Sequence, residues 1–266
     1  MVVGGGVRGL VPFIMRPVPL ALFFALMAAP LCRGDNAPDA ALLAAEKARG
    51  VLTGDTGVRW SVDVVGKGAE GTKTAHFDAT SQNGKIFAEV LEPEEAKGRR
   101  YIAEADGSMW FWKPGLSRPV SVSKRQRLSG DAAIGDIAST SFVEGYKVES
   151  AEPGEVNGEA ATIYTMKANS LGDTYKQIKY WVTKKGSLGK KAEFYATSGT
   201  LLRSATMQYD NQAGGGPFLS RMTIVDSSRT ITLTFGDVEI GKFPADLFDR
   251  NKMGGNVQRA RTKGNR

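Results

Sequence analysis

Residues 107–140 read "GSMWFWKPGLSRPVSVSKRQRLSGDAAIGDIAST", and this stretch decides the fold. Its first part predicts a short strand in which Trp110 and Trp112 share one face, while Met109 and Phe111 share the other. Both faces of that strand are apolar, so the strand has to lie between two apolar layers. A Pro-Gly turn and a basic segment follow before the chain becomes rich in small residues.

The last part of the stretch predicts a short helix over residues 131–139. Asp131 is a suitable N-cap, and Ile134 and Ile137 mark one face of the helix, but most of its other side chains are small. A helix with so few large side chains is held weakly. Next to an aromatic strand, such a helix is typical of a weakly held lid over an apolar cavity. The alternative is that the aromatic strand is a core strand covered on both faces.

The remaining sequence is dominated by strand patterns. Residues 58–66 and 230–235 alternate apolar with polar side chains, and the Asn-Gly pair at 83–84 marks a hairpin. About twelve antiparallel strands are predicted, with an amphipathic helix within 38–52 and a helical turn within 243–253. A sheet of this size cannot stay flat. The predicted fold class is therefore mainly β: one strongly curved antiparallel sheet that curls or closes, with short helices as lid or plug on its concave side. The half-open form of the barrel is implied only by the family resemblance described below.

The N-terminus has the pattern of an export signal. Arg8 and Arg16 both come before an apolar run at 18–31. This run is shorter than the about 20 residues that a membrane-spanning helix needs. Residues 1–34 are predicted to be a signal peptide that is cleaved off after Gly34. Met15 is an alternative start, because the sequence from that residue is also a complete signal.

Cleavage at that position would leave a chain without cysteine. The one cysteine, Cys32, lies inside the predicted signal, and lipid attachment there is disfavoured because Leu31 occupies a position that usually holds a small residue. The mature chain therefore has no disulfide. Residues 35–253 are predicted to form a single domain, and residues 254–266 a disordered basic tail.

The overall charge gives little support to nucleic-acid binding. The formal charge is +7, and removing residues 1–34, with three arginines and no acid, leaves 32 basic and 28 acidic residues. The basic residues are dispersed except in the tail and in "KRQR" at 124–127. Lys124, Arg125 and Arg127 are candidates for contact with lipid headgroups or an acidic partner, with a solvated edge as the alternative.

Catalytic patterns are weak in this sequence. His76 is the sole histidine, and no nucleophile elbow, zinc-protease motif, phosphate loop or dinucleotide fingerprint occurs. No metal or cofactor is therefore expected. The carboxylates in the loop at 92–95 and the pair Asp246 and Asp249 would have to face each other across a cleft to act as a glycosidase, which sequence spacing does not test.

Several motifs together resemble those of the outer-membrane lipoprotein-sorting (LolA-like) proteins. These are the "MWFWKP" strand with its basic stretch and "GD…D" helix, "SRMTIVDS" with Met222, the Thr-rich "TITLTF" and the closing "FPADLF". The similarity covers nearly the whole predicted mature chain. It implies a LolA/LolB-like half-barrel that carries acyl chains of lipoproteins, or other lipids, through the periplasm without catalysis. It also implies an arginine that holds the lid closed, for which Arg118, Arg125 and Arg127 are candidates.

Sequence and resemblance together predict a monomeric periplasmic carrier with lipid or acylated lipoprotein as cargo and an inner-membrane transporter as a further partner. Strand parity and side-chain size select the residues expected to line the cavity and lid. They are Trp60, Val62, Trp110, Trp112, Ile134, Ile137, Phe142, Ile178, Tyr180, Met207 and Met222. Two other functions stay open: a partner-binding accessory β protein of a membrane transport complex, and an exported hydrolase.

Overall fold

The computed structural model describes residues 1, 39–52, 54–104, 108–122, 141–143, 145–169 and 175–255. The predicted signal peptide, the predicted lid helix, the basic segment 124–127 and the tail from 256 onward lie outside these residues. The chain from Pro38 onward forms one compact unit. No helix in the described part of the chain is long and apolar enough to cross a membrane.

The described residues contain one α-helix, two 3₁₀ helices and fifteen strands. The helix is α1 (Ala40–Ala48), and the 3₁₀ helices are Ala245–Phe248 and Arg250–Lys252. The strands are β1 (Gly57–Gly68), β2 (Gly71–Gln82), β3 (Lys85–Glu92), β4 (Arg100–Ala103), β5 (Met109–Trp112), β6 (Val120–Ser121), β7 (Tyr146–Val156), β8 (Glu159–Ala168), β9 (Gln177–Thr183), β10 (Gly189–Tyr195), β11 (Leu201–Gln208), β12 (Asn211–Ala213), β13 (Gly216–Phe218), β14 (Arg221–Val225) and β15 (Arg229–Gly241).

Thirteen of these strands form a single antiparallel sheet that does not close. Its order is β6-β5-β4-β3-β2-β1-β15-β14-β11-β10-β9-β8-β7, while β12 and β13 pair separately. The predicted fold class, a strongly curved half-open barrel, is confirmed. The count is higher than the roughly twelve strands expected, chiefly because the two three-residue strands of the β12–β13 hairpin are too short to show a periodicity.

The sheet is not a simple meander. The first strand, β1, pairs with the last one, β15, in the middle of the sheet, whereas the consecutive strands β6 and β7 form its two opposite edges. The chain between Ser121 and Tyr146 therefore joins one edge to the other. The predicted lid helix belongs to this connection.

Helix α1 packs against the inner face of the sheet. The Asp39 carboxylate caps it by accepting a hydrogen bond from the amide of Ala41 at 2.7 Å. The helix is shorter than predicted because Gly50, at φ 94°, turns the chain away soon after its last residue. A Cβ at Gly50 would lie 2.5 Å from the Trp60 ring, so only glycine allows this close approach between the end of the helix and β1.

Candidate functional site

The strand register shows which aromatic residues share the inner face of the sheet. Trp60 on β1 pairs with Ala79, and that row continues across β3, β4 and β5 through Ala88, Tyr101 and Phe111. Directly paired residues of antiparallel strands point to the same face. The rings of Tyr101 and Phe111 are 5.1 Å apart, as this register requires. Phe111 therefore lies on the same face as Trp60.

Trp110 and Trp112 consequently lie on the outer face, which corrects the expectation that they line the interior. Trp110 packs beneath the guanidinium of Arg250, 4.2 Å from the ring centre. Trp112 donates a hydrogen bond from Nε1 to the carbonyl of Leu116 at 2.9 Å. Side chains of a strand alternate between its two faces, so Trp110 and Trp112, two residues apart, share one face. Assigning that face wrongly therefore misplaces both tryptophans together.

Seven other predicted lining residues come together in one buried cluster on the inner face. They are Trp60, Val62, Phe142, Ile178, Tyr180, Met207 and Met222, each at most 8% exposed. Ile134 and Ile137 lie outside the described residues, as do Lys124, Arg125 and Arg127. Contact of any of these residues with a ligand stays a prediction.

Among the described residues, α1, Phe142 and the β12–β13 hairpin pack against the inner face of the sheet. The Phe142 ring lies 4.7 Å from the ring of Tyr180 and 5.8 Å from that of Phe194. A cavity of about 160 Å³ opens beside α1, at the end of the sheet where β9 turns into β10. Pockets that hold drug-sized ligands measure roughly 300–1,000 Å³. An acyl chain that contacted the rings of Tyr180 and Phe194 at this position would have to displace Phe142 from them.

A buried ion pair connects α1 to Phe142. Glu46 and Arg49 are 2% and 3% exposed, and the Arg49 Nη2 and Glu46 Oε1 atoms are 3.0 Å apart. The Phe142 amide donates a hydrogen bond to the second oxygen of Glu46 at 2.9 Å. The guanidinium carbon of Arg49 lies 4.2 Å from the centre of the Phe142 ring. The pair therefore holds the chain just beyond the predicted lid helix by both backbone and ring.

Sequence reasoning missed this pair. Its one signal was the spacing of three residues between an acid and an arginine on a predicted amphipathic helix, which is also common on exposed helices. The arginines proposed as lid contacts were others. Arg118 is exposed, while Arg125 and Arg127 lie outside the described residues.

The polar groups around the pair have shifted pKa values. Burial is the largest influence on the pKa of Arg49 and by itself would lower it, but the attraction of Glu46, the nearby Tyr180 and Tyr209 and the hydrogen bond to Glu46 together raise this pKa. Burial raises the pKa of Tyr180, and Tyr209 and Glu46 raise it further. Burial also raises the pKa of Tyr209, whose hydroxyl donates to the carbonyl of Gly189 at 2.6 Å. At neutral pH Arg49 is therefore charged, and the neighbouring phenols of Tyr180 and Tyr209 are neutral.

The histidine and the carboxylates considered for catalysis make ordinary surface contacts. His76 lies on the outer face, where its Nδ1 is 2.7 Å from the Asp63 carboxylate. Glu94 pairs with Lys97 at 2.8 Å, and Asp249 accepts a hydrogen bond from a backbone amide. Among the described residues, no group of three or more His, Cys, Asp or Glu side chains could hold a metal ion.

A family model described as an uncharacterized protein matches residues 82–254, which is more than half of the chain. The chain belongs to this family. The matched part begins at the end of β2, includes both edge strands and ends with the 3₁₀ helices that cover Trp110. No curated protein matches the sequence.

Solved structures with low sequence identity show that the family has the LolA-like fold. A LolA superfamily protein from Nitrosomonas europaea is 22% identical, with a TM-score of 0.67 over 80% of this chain and 98% of its own. A domain named for outer membrane lipoprotein sorting, from Vibrio parahaemolyticus, is 17% identical, with a TM-score of 0.68 over the same shares. A DUF1329 family protein from Desulfovibrio piger is 15% identical with a TM-score of 0.64, again over 80% and 98%.

Proposed function

We propose that this protein is a periplasmic carrier that binds acyl chains of lipoproteins, or other lipids, inside the half-barrel and delivers them toward the outer membrane without catalysis. The observation that carries this proposal is the apolar inner face, against which the described residues place α1, Phe142 and the β12–β13 hairpin. The LolA-like fold and the export signal predicted at 1–34 support it. An inner-membrane transporter is the proposed donor of cargo, and the carrier acts as a monomer.

Cargo enters this interior by replacing the residues that fill it. Phe142 is the natural one to leave, because it belongs to the connection between the sheet edges rather than to a strand. Its departure would expose the rings of Tyr180 and Phe194, which it contacts now. The proposed lining is the buried group of Trp60, Val62, Ile178, Tyr180, Met207 and Met222, without Trp110 and Trp112.

Native mass spectrometry of the protein exported by a bacterial host, followed by organic extraction, tests this function. A bound mass that extracts as an acyl lipid supports the carrier and begins to identify the cargo. An apo mass is followed by titration with a fluorescent fatty-acyl probe. Failure to bind the probe as well would end the carrier proposal.

A second function is favoured by the filled interior. A packed inner face with a cavity of about 160 Å³ also suits an accessory protein that binds a partner of a membrane transport complex through its surface. Such a protein would give an apo mass and bind no acyl probe, so the same experiment separates the two functions.

Substitution of Phe142 tests whether this residue covers a binding space. Phe142→Ala is expected to increase the affinity for the acyl probe while lowering the free energy of unfolding by about 3–5 kcal/mol. Phe142→Leu should show the same trends with a smaller loss of stability. Fluorescence titration and urea denaturation measure the two effects.

The matched control is Trp181→Ala, which removes a large ring from the outer face of β9, where Trp181 packs 4.4 Å from the Lys191 ammonium. This change should leave probe affinity unaltered. Equal probe affinities for the folded Phe142 variants and the control would mean that Phe142 is an ordinary core residue.

A further inference from the structure

The hairpin formed by β9 and β10 carries a concentrated positive charge. Residues 176–192 contain six lysines and no acid. Two of them, Lys184 and Lys185, lie in the exposed turn between the strands, whereas Lys191 is paired with Glu193 at 2.7 Å. The tip of the hairpin therefore carries two exposed lysines.

Helix α1 brings another lysine and apolar side chains to the same end of the sheet. The cavity beside the tip is lined by Lys47 and Ala44 of α1, Leu188 of the β9–β10 turn and Pro217 of the β12–β13 hairpin. Among the described residues that line it, Lys47 carries the only charge. Leu43, one turn before Lys47 on α1, is 40% exposed although it is a large apolar residue.

These residues form a surface, here called the docking face, made of Leu43, Lys47, Lys184, Lys185, Leu188 and Pro217. Among the described residues, none forms an ion pair with any of its three lysines. Gly214, Gly215 and Gly216 line the same cavity. The docking face thus combines unpaired positive charge with exposed apolar side chains.

We propose that the docking face binds the surface of a bilayer that contains anionic phospholipid. Lysines at a membrane surface are attracted by the negative potential of anionic headgroups, and each contributes about 1 kcal/mol. The exposed apolar side chains beside them, Leu43 and Pro217, enter the boundary between headgroups and acyl chains. The surface lies outside the buried interior, so membrane docking does not depend on the proposed acyl-chain binding.

Vesicle sedimentation of the full chain tests this inference. The protein is expected to bind vesicles of phosphatidylglycerol mixed with phosphatidylcholine, with an affinity that falls as salt is added, and to bind pure phosphatidylcholine far more weakly. The triple variant Lys47→Gln, Lys184→Gln, Lys185→Gln should lose roughly a hundredfold in affinity for the anionic vesicles. Leu43→Ser should weaken binding further when it is added to that variant.

The matched control neutralises three exposed lysines elsewhere, by Lys67→Gln, Lys113→Gln and Lys147→Gln. Both triple variants change the net charge equally and retain the basic segments at 124–127 and 258–266. An equal loss of affinity in the two variants would mean that binding follows net charge, and unchanged binding by the first variant would mean that another segment contacts the membrane. Either result overturns the inference. Acyl-probe binding by both variants should be unaffected, which separates this test from that of the proposed function.

Discussion

Replacing Glu46 with alanine is expected to lower the free energy of unfolding by roughly 3–5 kcal/mol. The substitution leaves the Arg49 guanidinium buried without its carboxylate, and it removes the acceptor of the Phe142 amide. A buried charge without a partner has lost its hydration and gained no attraction in return. Urea denaturation followed by tryptophan fluorescence measures the change.

Two controls identify the buried charge as the cause. The double variant Glu46→Leu with Arg49→Met removes both charges and should recover much of the lost stability, because a buried ion pair contributes little more than apolar residues of similar size. Glu70→Ala breaks a pair with the same three-residue spacing to Lys73, but this pair is exposed, so no measurable change is expected. A double variant no more stable than Glu46→Ala would contradict this account.

The same substitution should also affect cargo binding. Because Glu46 and Arg49 hold Phe142 in the interior, loosening them makes it easier for an acyl chain to displace that ring. The acyl probe should therefore bind faster to Glu46→Ala than to the unmodified protein, as measured by stopped-flow fluorescence. Equal association rates would show that the pair stabilises the fold without holding the interior closed.

Replacing Phe248 with alanine is expected to cost a similar 3–5 kcal/mol at a separate location. Phe248 is 5% exposed in the first 3₁₀ helix and packs with Phe87, Ile102 and Met253 on the outer face of β3 and β4. The chain that follows is tied to the same face, since Arg100 Nη1 donates to the carbonyl of Gly255 at 2.6 Å. Urea denaturation measures the loss, and Leu247→Ala, at a half-buried neighbour, should cost less.

This variant also distinguishes the two faces of the sheet. Phe248→Ala and Phe142→Ala remove the same ring and should destabilise to a similar extent, but only the change at Phe142 should alter acyl-probe affinity. A matching increase in probe affinity for Phe248→Ala would indicate that general loosening, rather than the inner face, admits the probe.

The sequence predicted the architecture well because strand alternation and hairpin turns are local signals. The helix in 38–52, the closing helical turn and the curved open sheet all follow from residues close to one another along the chain. The same signals fail where an element is too short to show a period, as with the β12–β13 hairpin.

The strand at 109–112 shows where local patterns stop being informative. Both of its faces are apolar, so its sequence predicts burial on two sides but not which side faces the interior. The register with β4 places Phe111 inward and Trp110 outward. The C-terminal 3₁₀ helices, more than a hundred residues later, then cover the outer pair.

Local sequence patterns were enough to predict one large curved antiparallel sheet with short helices, because repeating polarity over neighbouring residues fixes strands and turns. Only the tertiary structure decided which aromatic residues share the interior and that Glu46 and Arg49 are buried against Phe142. Those facts depend on contacts between residues far apart in the chain, 96 positions in the case of Glu46 and Phe142. A charged pair on a short helix looks the same in sequence whether it faces water or the core, and only the elements packed around it make the difference.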